Sequence, residues 1–106
     1  ECCYDGQERS HMYTATWNGK VIAKSDKTVE IEGNQYFPLD SVTAGYLTDS
    51  ELQTSCPWKG TASYFNLNVD GEISEDSAWT YKTPKDGAAS IAGHVAFYRM
   101  VEVSKG

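Results

Sequence analysis

Short segments of alternating hydrophobic and polar residues run along most of the chain and are separated by turn residues. The clearest covers residues 61–69. Alternation with a period of two is typical of a half-buried β-strand. The apolar face of this predicted strand is formed by Ser63, Phe65, Leu67 and Val69. The polar face, which is predicted to meet water, is formed by Tyr64, Asn66 and Asn68. The pattern therefore predicts a strand that presents Tyr64 to water.

Turn signals divide the rest of the chain into further short strands. Asn18-Gly19 and Asp70-Gly71 predict two-residue hairpin turns, because both turn positions need positive φ. Gly33-Asn34 predicts a third turn. The other strands are predicted at residues 15–17, 21–23, 28–32, 35–37, 53–56, 79–81, 95–98 and 101–103, with a polar loop at 48–51.

Two segments have helical character. Over residues 40–47, Asp40 or Ser41 can cap a short helix, and Val42, Tyr46 and Leu47 follow at helical spacing. Residues 85–91 predict a second short helix that ends at Gly93. The pattern as a whole predicts a mainly β fold, in which residues 12–106 form one compact antiparallel domain with two short helices.

Composition narrows the class of protein. A chain of 106 residues has the size of a single domain. The net charge of −6 and the scattered basic residues argue against a nucleic-acid partner, which needs a basic stripe. No apolar run reaches the roughly 18 residues that cross a bilayer. We therefore expect an acidic, soluble, cytoplasmic protein that binds neither nucleic acid nor membrane.

Cysteine and histidine usage predicts neither a metal site nor a disulfide framework. Of the three cysteines, Cys2 and Cys3 are adjacent and Cys56 stands alone, as do His11 and His94. A zinc site normally needs paired ligands at fixed spacing.

Ser10-His11-Met12 resembles a cloning junction, so residues 1–11 are interpreted as a leader that does not belong to the domain.

The stretch Cys56-Pro57-Trp58-Lys59-Gly60 is the strongest candidate site in the chain. Pro57 ends a strand and Gly60 permits a sharp reversal, so the turn between them is stiff. Two interpretations stay open at this point. In the first, Trp58 and Lys59 present a ring and a cation to a ligand. In the second, Trp58 plugs the core and Lys59 faces solvent. Likewise, Cys56 is either a small buried hydrophobe or a nucleophile supported by Lys59 and by His94 as base.

Four motifs in order resemble the family called domain of unknown function 427 (DUF427): "WNGKVIAKSDKTVEIEGNQYFP", "CPWKGTASYF", "DGE" and "SAWTY". The resemblance covers nearly all of residues 12–103 and implies a β-tent-like fold of two antiparallel sheets. One departure is Tyr81-Lys82-Thr83-Pro84, where the family usually has Tyr-Pro-x-Pro. The family's nucleotidyltransferase-like label lacks support in the residues, since neither a phosphate-binding glycine loop nor a carboxylate cluster is evident.

The leading functional prediction is a binding module without enzymatic activity or cofactor. It places a concave aromatic surface at Trp58, Lys59, Tyr64, Trp79 and Tyr81, for a small anionic or planar ligand. One alternative is a small cofactor-free enzyme with a centre of Cys56, Lys59 and His94. Another is a protein–protein interaction domain that docks through its aromatic face.

Overall fold

The computed structural model describes residues 12–105, and in this range nine strands form two sheets in which every pairing is antiparallel. The strands are β1 Tyr13–Trp17, β2 Lys20–Ser25, β3 Val29–Ile31, β4 Asn34–Pro38, β5 Leu47–Cys56, β6 Gly60–Val69, β7 Glu72–Thr80, β8 His94–Phe97 and β9 Glu102–Lys105. The smaller sheet has the order β2-β1-β9, and the larger has the order β3-β4-β8-β7-β6-β5. The predicted mainly β fold of two antiparallel sheets is confirmed.

Helical structure is shorter than the sequence predicted. In place of the helix at residues 40–47 there is only a single 3-10 turn, Leu39–Ser41. Val42 already has extended dihedral angles, and its neighbour Thr43 donates its backbone N–H to the carbonyl of Ile22 at 2.8 Å. Pairing with the edge of β2 therefore outweighs the local helical pattern. The second predicted helix is a 3-10 segment, Asp86–Ile91, with a kink at Ala88.

The hairpin turns follow the sequence closely. Both predicted two-residue turns have positive φ at each position: Asn18 52°, Gly19 76°, Asp70 54° and Gly71 86°. The third turn lies one residue earlier than predicted. Glu32 and Gly33 occupy it with φ of 56° and 82°, and Asn34 is already the first residue of β4.

Strand β5 has ten residues, against the four predicted at residues 53–56. The sequence indicated a polar loop at residues 48–51, but this segment belongs to β5, and Thr48 and Asp49 pair with β6. A bulge between Asp49 and Gln53 interrupts the register. The prediction was wrong because β5 is an edge strand whose residues are mostly exposed, so no apolar alternation marks it.

Two separate clusters of buried residues cover the two faces of the larger sheet. The first packs this sheet against the smaller one and is built from Ala15, Ile22, Ala23, Phe37, Leu67, Val69, Ala78, Val95, Phe97 and Val101. The second lies on the opposite face and contains Tyr36, Ala62, Tyr64, Tyr81, Ala88, Ile91 and Ala96. Tyr64, predicted to face water, is therefore in a core and only 9% exposed.

The residues interpreted as a leader, with Cys2, Cys3 and His11, lie outside the described part of the chain. Within residues 12–105, no helix is long and apolar enough to cross a membrane.

Candidate functional site

Lys59 is buried in the turn that the sequence singled out. The residue is only 7% exposed. Its Nζ contacts the Glu32 carboxylate at the tip of the β3–β4 hairpin. The same ammonium lies 5.4 Å from the ring centre of Trp58 and 5.5 Å from that of Tyr81. Both distances are within the range of a cation–π contact. In this structure the ammonium is therefore engaged inside the protein.

The electrostatic setting of this pair favours its charged form. The hydrogen bond from Lys59 lowers the pKa of Glu32 below its usual 4.5, against a weaker effect of burial. Burial acts to lower the pKa of Lys59, but Glu32 and the hydroxyls of Tyr36 and Tyr81 outweigh it, so this pKa lies above 10.5. Burial also raises the pKa of the Tyr81 hydroxyl above 10.0, although Lys59 acts in the opposite direction.

The backbone of the turn is tied to the loop that follows β7. The N–H of Lys85 donates to the carbonyl of Lys59 at 2.9 Å, and the Lys85 ammonium donates to the carbonyl of Pro57 at 2.8 Å. Gly60 has φ of 110°, and a Cβ at this position would lie 3.4 Å from the Thr83 carbonyl oxygen. The stiffness predicted for the turn thus comes from the loop as well as from Pro57.

Trp58 does not plug the core. Trp58 is 43% exposed, and a Cβ on Gly87 would lie 3.5 Å from atom Cε3 of the Trp58 ring. The ring therefore lies over the 3-10 segment Asp86–Ile91 and covers one side of Lys59.

Four aromatic residues form a cluster on the outer face of the larger sheet. The rings of Trp79 and Tyr98 are 4.9 Å apart, and the Tyr64 ring is stacked 6.4 Å from Tyr98 at an interplanar angle of 22°. The indole N–H of Trp79 donates to the hydroxyl of Tyr36 at 3.1 Å. The Tyr64 hydroxyl, and to a smaller degree burial, raises the pKa of Tyr98 above 10.0.

A groove of about 700 Å³ runs beside this cluster, between the β3–β4 hairpin and the loop from β8 to β9. We call it the aromatic groove. Its lining residues are Tyr13, Gly33, Asn34, Gln35, Trp79, Phe97, Tyr98, Arg99, Val101, Glu102 and Val103. Aromatic residues, one arginine and one glutamate thus line a common space, which is an arrangement suited to a planar ligand with a charged substituent.

The structure brings only part of the predicted ligand site together. Trp79 lines the aromatic groove, and Tyr64 contacts it through the cluster of rings. Trp58, Lys59 and Tyr81 lie together around the buried ammonium and do not line the groove. Whether any of the five binds a ligand stays a prediction.

Two residues of the groove, Tyr98 and Arg99, were not among the five predicted ligand contacts. Their only signal was a tyrosine at the end of a predicted strand with an arginine directly after it. That arrangement is common in loops, and only the neighbouring Trp79 from β7 gives it meaning.

Cys56 and His94, the nucleophile and the base of the alternative catalytic centre, lie on strands that are three positions apart in the larger sheet. Cys56 ends β5 and His94 begins β8, and β6 and β7 lie between these two strands. Three strand spacings of about 4.8 Å separate the backbones of these strands by about 14 Å in a flat sheet, and no contact between Cys56 and His94 bridges that separation in residues 12–105. The Nδ1–H of His94 donates a hydrogen bond to the Ala92 carbonyl at 2.9 Å, and Lys59 is paired with Glu32. The geometry gives this centre no support, since a base must be within hydrogen-bond reach of its nucleophile.

Among residues 12–105, no group of three or more histidine, cysteine, aspartate or glutamate side chains is placed to hold a metal ion.

Comparison with known proteins identifies a family and no curated relative. A search of curated proteins finds no match. The β-tent relationship implied by the resemblance stays a prediction. The model of a family described as a domain of unknown function (DUF427) matches residues 5–105. The match spans nearly the whole sequence, and the chain therefore belongs to the DUF427 family.

Proposed function

We propose that this domain is a binding module that takes a small, planar, anionic ligand in the aromatic groove. The observation that carries the proposal is the placement of Trp79 and Tyr98, with ring centres 4.9 Å apart, beside Arg99 in one groove. The volume of about 700 Å³ lies within the range of small-molecule sites.

The rings supply the apolar part of the site. Trp79 is held by its hydrogen bond to Tyr36 and by the neighbouring Tyr64 ring, so it has little freedom to lose on binding. Tyr98 is 42% exposed, which leaves much of its surface accessible to a ligand. A flat ring system packed against these residues gains both buried area and favourable aromatic geometry.

Arg99 supplies the charge. The guanidinium is planar and can donate two parallel hydrogen bonds to a carboxylate or a phosphate. The lining contains one cation, Arg99, and one acidic residue, Glu102, so the proposal places the anionic group of the ligand at Arg99. This role replaces the one predicted for Lys59, whose ammonium is engaged with Glu32.

The test is a titration of the ¹⁵N-labelled protein with indole-3-acetate and, separately, with AMP, followed by NMR. Indole-3-acetamide and adenosine serve as uncharged controls with the same ring systems. We expect saturable shifts of the Trp79 indole N–H and of the backbone amides of Asn34 and Arg99. If neither anion shifts these signals selectively at millimolar concentration, the proposal is wrong for this class of ligand.

Arg99→Gln isolates the charge of the groove. We expect this variant to bind the two anions about 10- to 100-fold more weakly, as for a lost hydrogen bond to a charged group. Its affinity for the uncharged controls should not change. Lys24→Gln is the matched control, because Lys24 is an exposed lysine on β2 that does not line the groove.

A further inference from the structure

We infer that Lys59 and Glu32 form a clasp that positions one wall of the aromatic groove, so that Lys59 acts as a positioning residue and not as a ligand contact. The inference builds on the function proposed above. Its structural part, the fixing of the β3–β4 hairpin by a distant lysine, is tested independently of any ligand.

The clasp joins two turns that are far apart along the sheet. Lys59 lies in the turn between β5 and β6, at one edge of the larger sheet, and Glu32 lies in the turn between β3 and β4, at the other. Three strand spacings, about 14 Å, separate β6 from β4 in a flat sheet. Contact between the two side chains therefore requires the sheet to curl, or the turns to lean over its face.

The side chain of Lys59 bridges the second cluster of buried residues. Its ammonium lies close to the Tyr81 ring, and the hydroxyl of Tyr36 contributes to its electrostatic environment. Both tyrosines belong to that cluster. Trp58 covers the ammonium from the solvent side. Removal of the Glu32 partner would leave a buried charge uncompensated, so the carboxylate holds the hairpin over the sheet.

The held hairpin forms a wall of the groove. Glu32 is followed directly by Gly33, Asn34 and Gln35, which line the groove opposite the β8–β9 loop. Strand β3 has only three residues and pairs with β4 alone. Such a short edge hairpin opens easily unless something outside it ties it down. The position of this wall therefore depends on Lys59.

Native-state hydrogen exchange of Lys59→Met tests the clasp. Methionine retains much of the apolar side chain but cannot pair with Glu32. We expect the amides of residues 29–36 to exchange about tenfold faster or more, while amides of β6 and β7 change less than about twofold, as for local opening. A uniform increase over the whole domain, or no increase in the hairpin, would overturn the inference.

Two further variants separate the clasp from a general loss of stability. Lys20→Met removes a lysine from an exposed ion pair with Asp70, at 3.8 Å, and should leave exchange of the β3–β4 hairpin unchanged. Lys59→Arg keeps the charge and should restore most of the protection. If Lys59→Met does not fold, Glu32→Gln removes the same pair from its exposed side and should give the same local increase.

Binding gives the final readout. In the variants that break the clasp, the affinity for indole-3-acetate should fall by about 5- to 20-fold, within the range of coupling between sites. Affinity that is unchanged while the hairpin opens would show that the wall does not matter. If no planar anion binds the unaltered domain, the proposed function fails, whereas hydrogen exchange still decides whether the clasp exists.

Discussion

At the scale of single residues, burial changes the role of a charged side chain. From the sequence, a lysine beside a tryptophan in a stiff turn is a suitable ligand contact. In the structure two rings and the Glu32 carboxylate surround the Lys59 ammonium. Arg99 is the cation that lines the groove. The difference is one of three-dimensional neighbours, which local sequence does not specify.

Gly60 provides a prediction at this scale. We expect Gly60→Ala to lower the free energy of unfolding by about 2 kcal/mol, because φ of 110° is strained for any residue with a Cβ. The added Cβ would also press on the Thr83 carbonyl oxygen at 3.4 Å. Urea unfolding followed by tryptophan fluorescence measures the change.

Gly19→Ala is the matched control for this variant. Gly19 also has positive φ, 76°, but a Cβ there would have no neighbour within 4 Å. The free energy of unfolding should therefore fall by only about 1 kcal/mol in Gly19→Ala, which is the cost of a left-handed conformation alone. Equal losses at the two glycines would mean that contact with the loop after β7 adds nothing to the strain at Gly60.

At the scale of elements, strand β7 contains an irregularity that the sequence did not announce. Its pairing with β6 shifts between Phe65 and Leu67, and Asp76 has φ of 55° within the strand. The N–H of Asp76 donates to Asn66 Oδ1 at 3.0 Å, and the Asp76 carboxylate accepts a hydrogen bond from Ser50. Polar side chains from two neighbouring strands thus stabilise the bulge.

The bulge yields a prediction for Asp76. We expect Asp76→Ala to destabilise the domain by about 1–2 kcal/mol, because it removes the acceptor for Ser50 and leaves a strained φ without local compensation. Asp76→Asn should cost less than about 0.5 kcal/mol, since asparagine tolerates left-handed φ and can still accept the hydrogen bond. Thermal unfolding of the two variants measures the difference. An equal loss in both would show that the carboxylate charge is what matters.

At the scale of the whole molecule, the pKa shifts predict two limits of stability. The lowered pKa of Glu32 contributes stability that is present above 4.5 and is lost as pH falls through its folded value. The raised pKa values of Lys59, Tyr81 and Tyr98 contribute stability that is lost as pH rises above 10.0 to 10.5. The free energy of unfolding should therefore be nearly constant between these limits, as far as these groups contribute.

Urea unfolding midpoints over a series of pH values measure this profile. Glu32→Gln removes the titrating carboxylate and should make the decline on the acid side shallower. Tyr98→Phe should make the decline on the alkaline side shallower, because it removes a hydroxyl whose pKa is raised by Tyr64. Unchanged slopes in either variant would assign the pH dependence to other groups.

The larger sheet has buried residues on both faces, and this explains why the sequence predicted strand β6 but wrongly predicted that one of its faces is exposed to water. Where one face is exposed, alternation identifies the strand. In β6, Tyr64 and Leu67 belong to different clusters of buried residues. Each face of this strand therefore packs into a cluster, and alternation does not indicate a face exposed to water. In β5 the opposite holds, because an exposed edge strand needs no apolar face. The predicted exposure of Tyr64 and the predicted loop at residues 48–51 were wrong for the same reason, which is that the position of a strand in the layers and at the edges of a fold depends on the whole molecule.

The sequence by itself determined the mainly β class, the two-residue hairpin turns and the stiff turn at Pro57 and Gly60. These follow from residues within a few positions of one another, through backbone sterics and period-two patterning. The tertiary structure alone decided that Lys59 pairs with Glu32 and that Trp79 meets Tyr98. Partners in these contacts are 27 and 19 residues apart, and which of them meet depends on strand order and on the shape of the sheet. Those are properties of the packed molecule, because many strand orders satisfy the same local patterns.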